Sequence, residues 1–264
     1  MLLAAAVALF WLPLRGTDDT ALDRMNGLGL ISVLPGATLA GAALLVAAFA
    51  AALRLPRQHR ALLTSVLLLT VVALHALPAV LEAEPRFPTA WQHLGFLDHL
   101  ARTGAAVPDL DARWSWPGFF AGAQFLAGAC GVTDLTALLR WWPLVLQLLY
   151  LAPLFLLLKA VRAGWRAKWC AAWLFVLCGW VGQDYFSPQG FTYLLHLCFV
   201  AILLVWFRAP HGEPGRRRPG EAAVLPAGPG HRVILLAVLL ALFTASVAGH
   251  QLTPSSCSGC SPPW

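Results

Sequence analysis

Charge is what this chain has least of. Asp, Glu, Lys and Arg together make up 11% of its residues, less than half the roughly 25% of ordinary soluble domains. An apolar surface of the size this implies is not kept in water, which excludes a free globular domain. No phosphate-cradling G-x-x-x-x-G-K-[ST] loop, dinucleotide G-x-G-x-x-G turn or zinc-binding H-E-x-x-H helix is present, and no internal repeat stands out. Three large catalytic classes lose their usual signatures with them. Cysteine is sparse, at 6 residues. Cys170, Cys178 and Cys198 lie in apolar runs and read as small apolar side chains. Cys257-Ser-Gly-Cys260 has redox spacing without the βαβ surroundings that would give it meaning, and reads as an accident of the tail.

Hydrophobic residues are present in excess, at 59%, as expected of a polytopic, all-α membrane protein. The 12 Trp include several at the ends of apolar runs, where indoles anchor helices at the interface. About seven spans can be drawn, at residues 1–14, 27–53, 61–81, 142–158, 169–182, 190–207 and 233–249. Pro35-Gly36 marks a break near the outer end of the second. Residues 1–14 are short of the roughly 20 that a crossing needs and lack a basic start, so they read as a first helix with its beginning missing, with a signal peptide as the alternative.

Alternating these segments with the amino terminus inside sorts the charges. Arg54, Arg57, Arg60, Lys159, Arg162, Arg166, Lys168, Arg208, Arg216, Arg217, Arg218 and Arg232 fall in cytoplasmic turns, 12 of the 18 basic residues. Only Glu213 and Glu221 of the 12 acids join them. The net charge of +6 thus follows the membrane by the positive-inside rule and does not indicate nucleic acid. Residues 208–232 form a Pro/Gly/Arg-rich cytoplasmic linker expected to be disordered. Residues 1–254 form one transmembrane domain. The tail, residues 255–264, is irregular and reads as the product of a frameshift or early stop, which would make the chain an amino-terminal fragment.

The one long segment that is neither span nor short connector is residues 82–140, on the extracytoplasmic side. Its first half is expected to form an interfacial helix after Pro88, with Trp91, Leu94, Leu97 and Ala101 along the apolar side and Gly104 ending it. A second apolar stretch, residues 119–130, is too short to span and should be re-entrant or interfacial. Glu82 and Glu84 stand where the chain leaves the lipid; a partly dry carboxylate there gains proton affinity and suits base catalysis, the plainer alternative being a solvated helix end. Asp109-Leu-Asp111 has the spacing to hold a divalent cation, Mg or Mn, against phosphate oxygens, although such triplets are common by chance. Arg86, Arg102 and Arg113 could meet a phosphate in fork geometry; pairing with neighbouring acids is the better expectation. His75, Gln147 and His196 lie roughly 10 Å inside the outer ends of spans at helical rise, where polar groups face the bundle interior or a wet cavity.

Four stretches carry a family likeness: Glu84-Pro-Arg-Phe-Pro-Thr-Ala-Trp91; Leu110-Asp-Ala-Arg-Trp-Ser-Trp-Pro-Gly-Phe-Phe120; Gln183-Asp-Tyr-Phe-Ser-Pro-Gln-Gly190; and Gly249-His-Gln-Leu-Thr-Pro254. Together they resemble bacterial, particularly actinobacterial, integral-membrane glycosyltransferases of the GT-C type. The resemblance implies transfer of a sugar from a polyprenyl-phosphate donor to an extracytoplasmic acceptor, in the plasma membrane. It implies Glu84 as the loop acid with Glu82 second, Asp109 and Asp111 at a metal or the acceptor, and Arg86 or Arg113 at the phosphate. Asp184, Gln189, His250 and Gln251 would line the rim. The large loop here follows the third span, where the family pattern puts it after the first. Two other classes compete: a transporter or flippase for a lipid-linked solute, and a non-catalytic scaffold or truncated inactive fragment. Oligomeric state is not legible.

Overall fold

The computed structural model describes residues 1–132, 134–179, 184–207 and 228–250. Every regular element among them is helical. In chain order the α-helices are α1 (Leu2–Trp11), α2 (Asp19–Leu22), α3 (Gly36–Arg54), α4 (Arg60–His75), α5 (Leu77–Leu81), α6 (Pro88–Thr103), α7 (Gly118–Ala129), α8 (Thr136–Ala160), α9 (Trp165–Leu177), α10 (Pro188–Ile202) and α11 (Pro229–Gly249). A π-helical turn, Leu203–Phe207, prolongs α10.

Four helices are long and apolar enough to cross a bilayer: Gly36–Arg54, Thr136–Ala160, Pro188–Phe207 and Pro229–Gly249. This marks a membrane protein. The expected seven spans are therefore met at four places, and the shortfall has local causes. The third expected span is broken into α4 and α5 at Ala76, where Pro78 has no N–H to engage the Leu74 carbonyl four residues earlier and its ring crowds that carbonyl. The fifth is the 13-residue α9. The first is α1 followed by a 3₁₀ turn at Pro13–Gly16. Pro35 is in extended backbone as the N-cap of α3, so the break expected at Pro35-Gly36 sets that helix's start.

The chain divides into two compact units. The first comprises Met1–Arg86 and Trp165–Leu177. Here α1 lies tight against α3 because Gly41 has no side chain: a Cβ there would come 2.5 Å from the Phe10 nitrogen. Thr38 Oγ1 donates to the Phe10 carbonyl at 3.1 Å. Ala6, Phe10, Leu14, Leu30, Leu45, Ala73 and Leu77 form the core. α9 joins through Trp173, which stacks on Phe49 at 4.5 Å and donates its indole N–H to Thr70 Oγ1 at 3.3 Å. Arg166 reaches the end of α3, donating to the carbonyls of Leu53 and Leu55 at 2.8 and 2.9 Å. Those carbonyls have no partner within the helix, and a cation suits the negative end of its dipole.

The second unit comprises Phe87–Gly164 and Cys178–Trp264. Phe96, Leu97, Trp114, Phe119, Phe120, Leu139 and Phe186 form its core. The Tyr150 hydroxyl of α8 donates to the Gly190 carbonyl of α10 at 2.7 Å. α7 meets α11 where Gly118 faces the Ala248 carbonyl, 2.8 Å from the place a Cβ would take. Trp142 near the start of α8 lies 5.0 Å from Phe186 just before α10, and Phe119 lies 4.8 Å from the same ring. The start of α8, the start of α10 and the end of α11 are thus gathered at one end of this unit, with α6 and α7.

Candidate functional site

The polar residues of the second unit converge on α6. Pro at its first turn needs no N–H partner, and Gly104 closes it in left-handed backbone at φ 67°, as expected from the sequence. The inward face differs from the expected stripe. Ala90, His93, Phe96 and Leu97 are buried, whereas Trp91 is exposed. The buried stripe turns on a histidine.

His93 is only 3% exposed. Its Nδ1 lies 2.7 Å from the Phe186 carbonyl oxygen. A carbonyl only accepts, so Nδ1 carries the hydrogen and Nε2 the lone pair. Rings close around it: Tyr185 stacks at 5.8 Å, Phe120 lies at 5.4 Å and Phe96 at 6.4 Å. Burial pushes its pKa below the ordinary 6.5, opposed by the bond to Phe186 and assisted by the nearby Arg113. At neutral pH the ring is uncharged.

Beside it Asp111 opens a 3₁₀ turn, Ala112–Ser115, accepting from the Arg113 backbone N–H at 2.8 Å. The same carboxylate grips the Arg113 side chain in a fork, at 3.0 Å from Nε and 2.7 Å from Nη2. Arg113 Nη1 donates to Gln92 Oε1 at 3.2 Å, and its guanidinium lies 4.8 Å over the Phe96 ring. Hydrogen bonds from Arg113 hold the Asp111 pKa down to about 2, and Asp111 raises that of Arg113 in return. The pair is charged at any physiological pH.

The candidate residues named from the sequence divide between the two units. In the first, Glu82 is half-buried and bonded to Arg86 at 2.5 and 3.2 Å, while Glu84 is exposed. In the second, Asp109 is exposed, and Asp184 and Gln189 are half-buried. His250 is half-buried as the C-cap of α11, and burial lowers its pKa. Gln251, most of the 208–232 linker and Cys257 and Cys260 lie outside the described residues. The expected pairing of arginines with neighbouring acids is seen three times, at Glu82–Arg86, Asp98–Arg102 and Asp111–Arg113.

Asp109 and Asp111 do not offer two open carboxylates to a cation, since both Asp111 oxygens are bonded to Arg113. Among the described residues no three His, Cys, Asp or Glu side chains gather at metal-binding distances. No step is derived through a metal here.

Three polar atoms inside the helices of this unit, Trp142 Nε1, Gln147 Nε2 and Thr192 Oγ1, are buried without a hydrogen-bond partner among the described residues. In the first unit, Leu3, Ala4, Val7, Ala8, Trp11, Leu12 and Leu69 line an apolar hollow of about 450 Å³.

The apolar side read from the sequence, Trp91, Leu94, Leu97 and Ala101, left out His93 and gave Gln92 no role. Counting His93 with Ala90, Leu97 and Leu100, at spacings of three and four, would have found the buried stripe. In comparisons with known proteins, no family model, curated sequence or solved structure matches the chain.

Proposed function

We propose that the chain is a membrane glycosyltransferase of the GT-C kind, moving a sugar from a polyprenyl-phosphate donor to an extracytoplasmic acceptor. One observation carries the reading most: Gln92, Arg113 and Asp111 form a bonded polar cluster whose guanidinium lies over Phe96, a ring that also borders His93. It sits at the end of the second unit where α8 and α10 begin and α11 ends. A substrate that is half sugar and half lipid needs both surfaces within one molecule. The alternation of basic and acidic turns assigns that end to the outside of a bacterial plasma membrane, with the amino terminus in the cytoplasm and about seven crossings.

In this reading Glu84 accepts the proton of the acceptor hydroxyl. The oxygen forms a bond to the anomeric carbon, and the carbon–oxygen bond to phosphate breaks. The electron pair leaves with the polyprenyl phosphate. Arg86, oriented by Glu82, meets the phosphate with its remaining N–H groups; in the second unit Asp184, Gln189 and His250 are the groups assigned to the sugar. The partners are membrane lipids and the lipid-linked sugar, with no nucleic acid.

The test uses membrane vesicles holding the full chain and a radiolabelled polyprenyl-phosphate sugar. Wild type is expected to transfer label, and Glu84→Gln to lose roughly 100-fold or more of that rate while remaining folded and retaining donor lipid. Absence of transfer from every donor offered, or an unimpaired Glu84→Gln, overturns the reading.

A further inference from the structure

The loss of the D-x-D pair as a metal clamp leaves the Asp111–Arg113 fork without a role, and the buried His93 beside it has none either. Both sit against the same few side chains. Three of the five guanidinium N–H groups of Arg113 are used, two on Asp111 and one on Gln92, which leaves two. The Gln92 amide accepts from Arg113 through its oxygen, so its NH₂ remains. His93 offers a lone pair at Nε2, because Nδ1–H is spent on Phe186. Gln92 and Arg113 therefore present planar donors, and His93, the next residue along α6, a neutral acceptor. Asp111 and Arg113 cancel each other's charge, so the cluster as a whole does not select an anion. Around these groups stand the half-buried rings of Phe87 and Tyr185, 5.3 Å apart.

Planar polar groups in register, with net charge cancelled and aromatic walls, are what a ring of neighbouring hydroxyls recognises. Each hydroxyl both donates and accepts, and its apolar C–H face lies well against an aromatic side chain. A phosphate, by contrast, would find the guanidinium already neutralised.

We propose that Gln92, His93, Arg113 and Tyr185 form a carbohydrate-binding subsite. In it, Arg113 and Gln92 donate to adjacent sugar hydroxyls and His93 Nε2 accepts from one of them, with Asp111 and Phe186 as positioning groups. This rests on the sugar-transfer reading for its ligand class and adds residues that reading does not use. A sugar ring could come from the donor or from the acceptor, and both present the same hydroxyls.

The experiment measures binding alone, so it is independent of turnover. Saturation-transfer NMR is run on the full chain in detergent with two panels, methyl pyranosides and furanosides as acceptor-like probes and the matching glycosyl phosphates as donor-like ones. At least one glycoside is expected to bind, and Gln92→Ala and Arg113→Met each to weaken it roughly five- to tenfold. A preference for the neutral panel assigns the acceptor sugar and a preference for the phosphates assigns the donor. Gln92 is exposed, so its truncation is readable even where His93→Phe fails to fold. If no member of either panel binds, or if Gln92→Ala and Arg113→Met bind as wild type does, the subsite is overturned. Binding without any transfer in vesicles would leave the subsite standing and end the transferase reading.

Discussion

His93 gives its Nδ1 hydrogen to the carbonyl of Phe186 across 2.7 Å of space and 93 residues of chain. That bond ties α6 to the segment just ahead of α10. Replacing the ring with phenylalanine keeps the bulk and strands the carbonyl. His93→Phe is expected to lower stability by about 1–3 kcal/mol, the usual cost of a buried unpaired acceptor. Thermal unfolding in detergent, followed by tryptophan fluorescence, measures it.

The same histidine gives the protein an acid sensitivity with a definite sign. Its folded pKa is below the ordinary 6.5, so the unfolded chain binds a proton that the folded chain refuses. The contribution is full above about 6.5 and declines as pH falls below it. Asp111 acts in the same direction in a lower window, from 3.8 down to about 2. Wild type is expected to lose unfolding temperature between pH 7 and 5 more steeply than His93→Phe does. His250, whose pKa burial also lowers, contributes to both proteins and drops out of the difference. Parallel curves for the two proteins would contradict this.

Two glycines should respond oppositely to one methyl group. At Gly41 a Cβ would meet the Phe10 backbone nitrogen at 2.5 Å, whereas at Gly122 nothing lies within 4 Å. Gly41→Ala is expected to cost about 1–3 kcal/mol by forcing α1 away from α3. Gly122→Ala, within α7, should be neutral or gain up to about 1 kcal/mol from helix propensity. The two variants, unfolded side by side, separate close packing from propensity.

Arg166 can be tested through exchange. Its guanidinium occupies two carbonyls at the end of α3, and it is exposed, so the bonds are weaker than buried ones. Arg166→Met is expected to raise hydrogen exchange in the last turn of α3 and to cost about 1 kcal/mol or less. Unchanged exchange at Ala52–Leu55 would show that water serves those carbonyls equally well.

The helical class was readable because membrane composition is a bulk property, and 59% apolar residues admit little else. Helix ends written in local chemistry were readable too, as at Pro35, Pro88 and Gly104. The number of long helices was not. Residues 61–81 are apolar apart from Thr64, Ser65, Thr70 and His75, and hydropathy is blind to the break that Pro78 makes at Ala76. The candidate site was half legible. The arginine–carboxylate pairs are close in sequence and were expected, but Gln92 reaches Arg113 from 21 residues away. His93 finds its partner through tertiary folding alone, and a polar letter on a helix gives no sign that an aromatic cage will bury it.

Pro143 and Pro153 both lie inside α8, and each lacks the N–H that would engage the carbonyl four residues earlier, at Leu139 and Leu149. The backbone ladder of this long helix is therefore interrupted at two places along its length. Its first stretch carries Leu139 into the aromatic core, while the stretch between the prolines carries Tyr150, bonded to Gly190. Any bend at Pro143 therefore falls between the aromatic core and that mooring.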